Sequence, residues 1–153
     1  MISAVCQRWR AGRCRWRPTH EGFDRRAYEV AELPRIGGRS IARAFVAEHH
    51  YLRTLPSVRA LYGLYTRGGG LVGVVVYAHP SRDEVLAPFD RDTGTCLARL
   101  VLLDEVPGNA ESWFVRRTFE LLARESVAGV VSFSDPLPRS TLDGHQTTPG
   151  HVG

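Results

Sequence analysis

The sequence contains no lysine: all 20 of its basic residues are arginine, a uniformity that fits a GC-rich coding sequence better than any particular chemistry. Cysteine is scarce. Cys6, Cys14 and Cys96 cannot all pair with one another, and three thiols fit a reduced, cytoplasmic compartment better than a disulfide scaffold. Cys6, Cys14 and His20 match no standard zinc spacing. No apolar run approaches the roughly 20 residues of a membrane span. The amino terminus carries arginines without an apolar stretch behind them, so no secretory signal is expected. There are no internal repeats.

What is present describes one soluble domain. The 153 residues, 43% hydrophobic and 24% charged, are enough for a single core. The formal charge of +4 is unevenly placed. Residues 1–26 hold seven arginines against Glu21 and Asp24, while the remaining 13 arginines face 14 acids. A basic arm containing Trp9 and Trp16 either grips nucleic-acid phosphates or is a disordered extension with no partner; its lack of any period favours the second reading.

From residue 27 the pattern is legible. Residues 28–33 alternate apolar and acidic, which fits a half-exposed strand ended by Pro34 and Gly37-Gly38. Ser40 is placed to cap a helix running to about His49. Residues 60–65 and 71–77 flank Arg67-Gly68-Gly69-Gly70 and read as a hairpin. A polar loop follows. Residues 96–103 are apolar except for Arg99 and predict a strand. Asn109 then reads as the cap of a helix with Glu111 and Ser112 in its first turn, its apolar face set by Val115, Phe119 and Leu122 with Phe114, Thr118 and Leu121 beside them. Residues 129–134 predict a last strand, stopped by Asp135-Pro136, and residues 144–153 show no element. The order predicts an α/β (α+β) fold: a mixed sheet flanked by helices, with the final two strands parallel across a helix.

The candidate chemistry sits at the ends of these elements. An arginine inside an apolar strand needs an anion or carbonyls, because an unpaired buried charge is very costly. Asp135 reads as a base, a cation ligand or the structural partner of Arg99. His49 and His50 are a base, metal ligands, or complements to the helix dipole. Tyr51 orients a substrate, donates a proton or edges the core. Ser132 and Ser134 share a strand face, where hydroxyls commonly bond to backbone. The amino end of the second helix offers N–H groups to an anion.

Together these pieces resemble the Mom family of bacteriophage DNA-modification proteins. The resemblance rests on Phe45-Val46-Ala47-Glu48-His49-His50-Tyr51 with Pro56, Tyr62-Gly63-Leu64-Tyr65 with Val72-Gly73-Val74, Arg99 to Pro107-Gly108-Asn109, and Ser132 to Pro138 with Pro149-Gly150-His151. It implies a divergent, GNAT-like acyltransferase fold over residues 27–153, and conversion of the adenine N6 amine in double-stranded DNA to a carbamoylmethyl-type derivative that evades restriction. It implies a catalytic set of His50, Tyr51, Arg99, Asp135 and Ser134. It also implies an acyl-CoA-like donor held near Asn109, Ser112 and Leu102, and an iron ion for which His50 and Asp135 are the nearest candidates. The chain departs from the family at Cys96, where relatives carry a glutamate, and it stops at Gly153, before the tyrosine-bearing strand that relatives place there. Two other functions stay open: a conventional N-acetyltransferase acting on a small amine or protein, and a truncated, non-catalytic nucleic-acid-binding domain.

Overall fold

The computed structural model describes residues 5–10, 13–133, 139–140 and 147–148. Its centre is a glycine-closed hairpin. Gly69 takes a φ of 89°, open to glycine without a Cβ clash, and the Thr66 N–H reaches the Gly70 carbonyl at 2.8 Å. This turn folds β4 (Val58–Thr66) back on β5 (Leu71–Ala78). β3 (Tyr28–Glu32) extends the sheet beyond β4, and β6 (Gly94–Leu102) beyond β5, both antiparallel. β7 (Gly129–Ser132) joins parallel to β6. The result is a mixed five-stranded sheet in the order β3-β4-β5-β6-β7.

Two helices cover it. α1 (Gly38–His49) follows β3, and α2 (Ala110–Arg124) makes the crossover from β6 to β7. The alternation of each strand sorts its side chains between two cores. Leu61, Val74, Val76 and Val101 pack with Ala42 and Val46 of α1. Tyr62, Leu64, Val75, Tyr77 and Leu102 pack with Phe114 and Leu122 of α2. Leu102 is therefore a core residue at 3% exposure, and its side chain has no route to a donor.

Several details differ from the sequence-based expectation. α1 starts two residues before Ser40, because Gly37 supplies a left-handed cap with φ of 83° and its carbonyl accepts the Ile41 N–H. The buried face of α2 is Ala110, Phe114, Thr118 and Leu122, while Phe119 is 42% exposed. Thr118 is tolerated inside because its hydroxyl meets the Tyr77 hydroxyl at 2.6 Å and its own Val115 carbonyl at 2.7 Å. Burial pushes the Tyr77 phenol up to about 12. Beyond residue 138, where no element was expected, β8 (Arg139–Ser140) pairs with β9 (Thr147–Thr148).

The largest correction concerns the basic arm. β1 (Val5–Arg10) and β2 (Arg13–Pro18) form an antiparallel hairpin, so residues 1–26 are not an arm without elements. No apolar period announced it; the pairing is supported by polar contacts to the domain, described below.

Candidate active site

Arg99 shares the α1 side of the sheet with Val101, next to one extra residue in the strand. From Gly73↔Leu102 to Val76↔Arg99 the β5–β6 register is continuous, and at Tyr77↔Leu97 it has shifted by one. Ala98 is the extra residue of a β-bulge. It lets Leu97 lie on the α2 side while Arg99, two residues before Val101, stays on the α1 side. The parallel ladder between β6 and β7 also stops here, at Leu97↔Ser132. The Ala98 carbonyl is met at 2.7 Å by the Arg99 guanidinium, which also bonds the Thr54 carbonyl at 3.2 Å. Arg99 thus ties the strand bulge to the loop after α1. Its charge is compensated by carbonyls, one of the two partners the sequence required. Burial pulls the Arg99 guanidinium below its ordinary value, and the nearby Tyr51 hydroxyl acts in the opposite sense.

His50 and Tyr51 begin that same loop. The His50 N–H closes α1 on the Val46 carbonyl, and the residue then turns extended, with φ of −109° and ψ of 144°. His50 is about nine-tenths buried, and its Nδ1 lies 3.2 Å from the Leu52 carbonyl and, more closely, accepts the Leu52 N–H at 2.9 Å. A neutral ring so bonded carries its proton on Nε2. Tyr51 stacks on it, centroids 4.5 Å apart. His49 points elsewhere, against Phe45 and 3.6 Å from the Glu48 carboxylate. The structure brings His50, Tyr51 and Arg99 together. Asp135 and Ser134 lie outside the described residues. Sequence reasoning missed Thr54 and Ala98, since neither a bulge register nor a main-chain acceptor leaves a residue-type signal. Cys96, at the family's glutamate position, is buried in β6, and burial raises its thiol.

Among the described residues no three His, Cys, Asp or Glu side chains sit close enough to hold a metal ion. The iron candidate pair therefore has one member, His50, on view.

The turn before α2 is packed against the amino-terminal hairpin. Asn109 occupies the cap position without a capping side-chain bond, and it and Ser112 are exposed. The N–H nearest the turn, that of Gly108, is donated to the Glu21 carboxylate at 2.6 Å. Gly108 lies so close to the Pro18 carbonyl that a Cβ there would collide with it. Arg8, at 2% exposure, closes the other side. Its guanidinium reaches the carbonyls of Leu103 at 2.7 Å, Val106 at 2.8 Å and Pro107 at 3.0 Å, and its Nε meets Glu111 at 2.6 Å. Glu21 is in turn held by Arg17 at 3.0 Å, and these two donors keep its carboxyl below the ordinary carboxylate range. The turn that leads into α2 is thus covered by the chain's own hairpin and Glu21.

This docking has a chemical reporter. Burial, reinforced by Glu111, pushes the Cys6 thiol up to about 11, and its Sγ lies 3.3 Å from the Gly108 carbonyl. Two units above the ordinary value of 9.0 leaves roughly a hundredfold less thiolate at neutral pH. Cys6 should therefore be alkylated by iodoacetamide at pH 8 about a hundredfold more slowly than in the urea-unfolded chain, as read by peptide mass spectrometry. An equal rate would mean that the hairpin stands open.

Comparison with known proteins adds the family. No curated protein matches the chain. Residues 28–141 match the Mom protein family, a span that includes α1, the sheet, the bulge bearing Arg99 and α2, and begins just after the hairpin. The chain belongs to the Mom protein family, whose membership marks it as a phage DNA-modification protein.

Proposed function

We propose that this chain is a transferase that converts the adenine N6 amine in double-stranded DNA to a carbamoylmethyl-type derivative, on a GNAT-like scaffold, and so hides the base from restriction. The single observation that carries the reading is the Arg99 guanidinium, which bonds the Ala98 bulge and Thr54 of the loop of His50 and Tyr51 inside the family-matched span. The parallel β6–β7 pair that ends at the same bulge is the feature in keeping with a GNAT-like sheet.

The chemistry sets the roles. An adenine amine is a weak nucleophile and is buried in the duplex, so the base must be flipped out at a cost of a few kcal/mol. Tyr51, stacked on His50, offers an aromatic face for the extruded base. Asp135 takes the N6 proton as general base. His50 acts as donor through Nε2, since Nδ1 is committed to Leu52. Arg99 fixes the loop and lends positive charge beside Tyr51. Asn109 and Ser112, both exposed at the amino end of α2, are the residues that would face an acyl-CoA-like donor.

Nucleoside mass spectrometry of DNA co-expressed with the protein tests this. A new deoxyadenosine species is expected. Unmodified nucleosides from cells containing folded protein would contradict the reading, and acetylated small amines in their place would point to an ordinary acetyltransferase.

A further inference from the structure

We infer that the exposed face of α1, carrying Arg39 and Arg43 with Arg35 one turn before them, is the track that grips the DNA backbone and leads it to His50 and Tyr51. This rests on the DNA-modification reading and names the surface that such a reading needs.

The charge distribution points there once contacts are considered. The amino-terminal arginines gave the sequence its basic end, but those whose side chains the structure describes near α2 are engaged internally. Arg8 is buried on carbonyls and Glu111, Arg17 is paired with Glu21, and Arg15 lies 3.7 Å from Asp104. On α2, Arg116 and Arg117 share Glu120, and in the β5–β6 loop Arg91 holds Asp83. Arg35, Arg39 and Arg43, like Arg25, Arg26, Arg53, Arg82 and Arg124, are not engaged in this way; what sets the three apart is that they fall in one row. All three are exposed, and none has an ion pair or side-chain hydrogen bond among the described residues.

Helical geometry lines them up. α1 buries Gly38, Ala42 and Val46 against the sheet. At 100° per residue, Arg39 and Arg43 lie on one flank of that face, and His50, seven residues after Arg43, falls on the same flank. The acid of α1, Glu48, lies well away from this line. From Arg39 to His50 the stripe runs roughly 16 Å at about 1.5 Å per residue, the length of several nucleotides along one strand. Arg35 continues it in the turn where the Gly38 N–H meets the Pro34 carbonyl. A row of unpaired guanidinium groups is complementary to a row of phosphates. Its end at the His50–Tyr51 pair sets the duplex in register with the site. Contacts of this kind position the DNA without reading its sequence.

Fluorescence anisotropy with a random-sequence duplex tests it on the full chain. Three phosphate contacts should contribute about 2.7 to the slope of log K against log salt. Replacing Arg35, Arg39 and Arg43 together by alanine should reduce the slope by that amount and weaken binding on the order of a hundredfold near 0.1 M salt. The control variant Arg91→Ala/Arg116→Ala/Arg117→Ala removes the same formal charge from ion-paired positions and should change the affinity less than threefold. Equal losses in the two variants would show that net charge alone matters and would overturn the inference. Unchanged binding in the α1 variant with a steep salt slope would overturn it while leaving the DNA-modification reading intact. Absence of duplex binding by the unaltered chain would overturn both.

Discussion

Replacing Arg8 by alanine should lower the melting temperature by roughly 10 °C. Few single changes in this fold strand so many groups. Arg8 is 2% exposed and satisfies three main-chain carbonyls of the β6–α2 connection together with the Glu111 carboxylate. Removing one partner of a buried pair typically costs about 3–5 kcal/mol. In a domain of this size each kcal/mol moves the midpoint by about 2–4 °C. If the hairpin lifts off rather than leaving those acceptors dry, water satisfies them and the loss is smaller. Cys6 then becomes reactive, so the alkylation rate separates the two outcomes. A shift under about 2 °C with Cys6 still slow would show that Arg8 holds nothing in place. Removal of residues 1–26 should likewise destabilise the domain, contrary to what an unstructured arm would predict.

That contrast shows where the sequence was legible. The glycine turn after Thr66, the alternating strands and the crossover helix are local or periodic signals, and each gave its element and the mixed sheet. The hairpin was hidden because its stability is neither local nor apolar. Arg8 and Glu21 bind main-chain groups some 90 residues away in sequence, and carbonyls and N–H groups have no residue identity to read. Phe119 stands more exposed than its helical spacing suggests, and Thr118, expected beside the apolar face, lies at its centre because Tyr77, from a strand, meets its hydroxyl. At the site, residue types singled out His50, Tyr51 and Arg99. What joins them, the extra residue at Ala98 and the carbonyl of Thr54, is a matter of register.

Replacing Arg99 by alanine should cut DNA modification by about a hundredfold while costing only about 1 kcal/mol of stability. Its guanidinium bridges Ala98 and Thr54, so its loss frees the loop that carries Tyr51. Misplacing a reacting group by about 1 Å can cost a hundredfold in rate, whereas hydrogen bonds at a partly exposed site contribute modestly to folding. Arg99→Lys should fall nearly as far as alanine. A lysine keeps the charge but lacks the planar fork that reaches both carbonyls. Full activity in the lysine variant would show that charge alone matters at this position and would remove the bridging role.

The joint behaviour of Tyr51 and Arg99 addresses the reactive centre itself. Modified deoxyadenosine would be counted in DNA from cells expressing the unaltered chain, Tyr51→Phe, Arg99→Ala and the double variant, at matched protein levels. Groups that act as one unit are strongly non-additive. The account predicts that each single variant loses most of the modified base and that the double variant is no worse than the weaker single. Modification unchanged in both single variants, or losses that multiply in the double, would contradict a shared site at the bulge and the loop after α1.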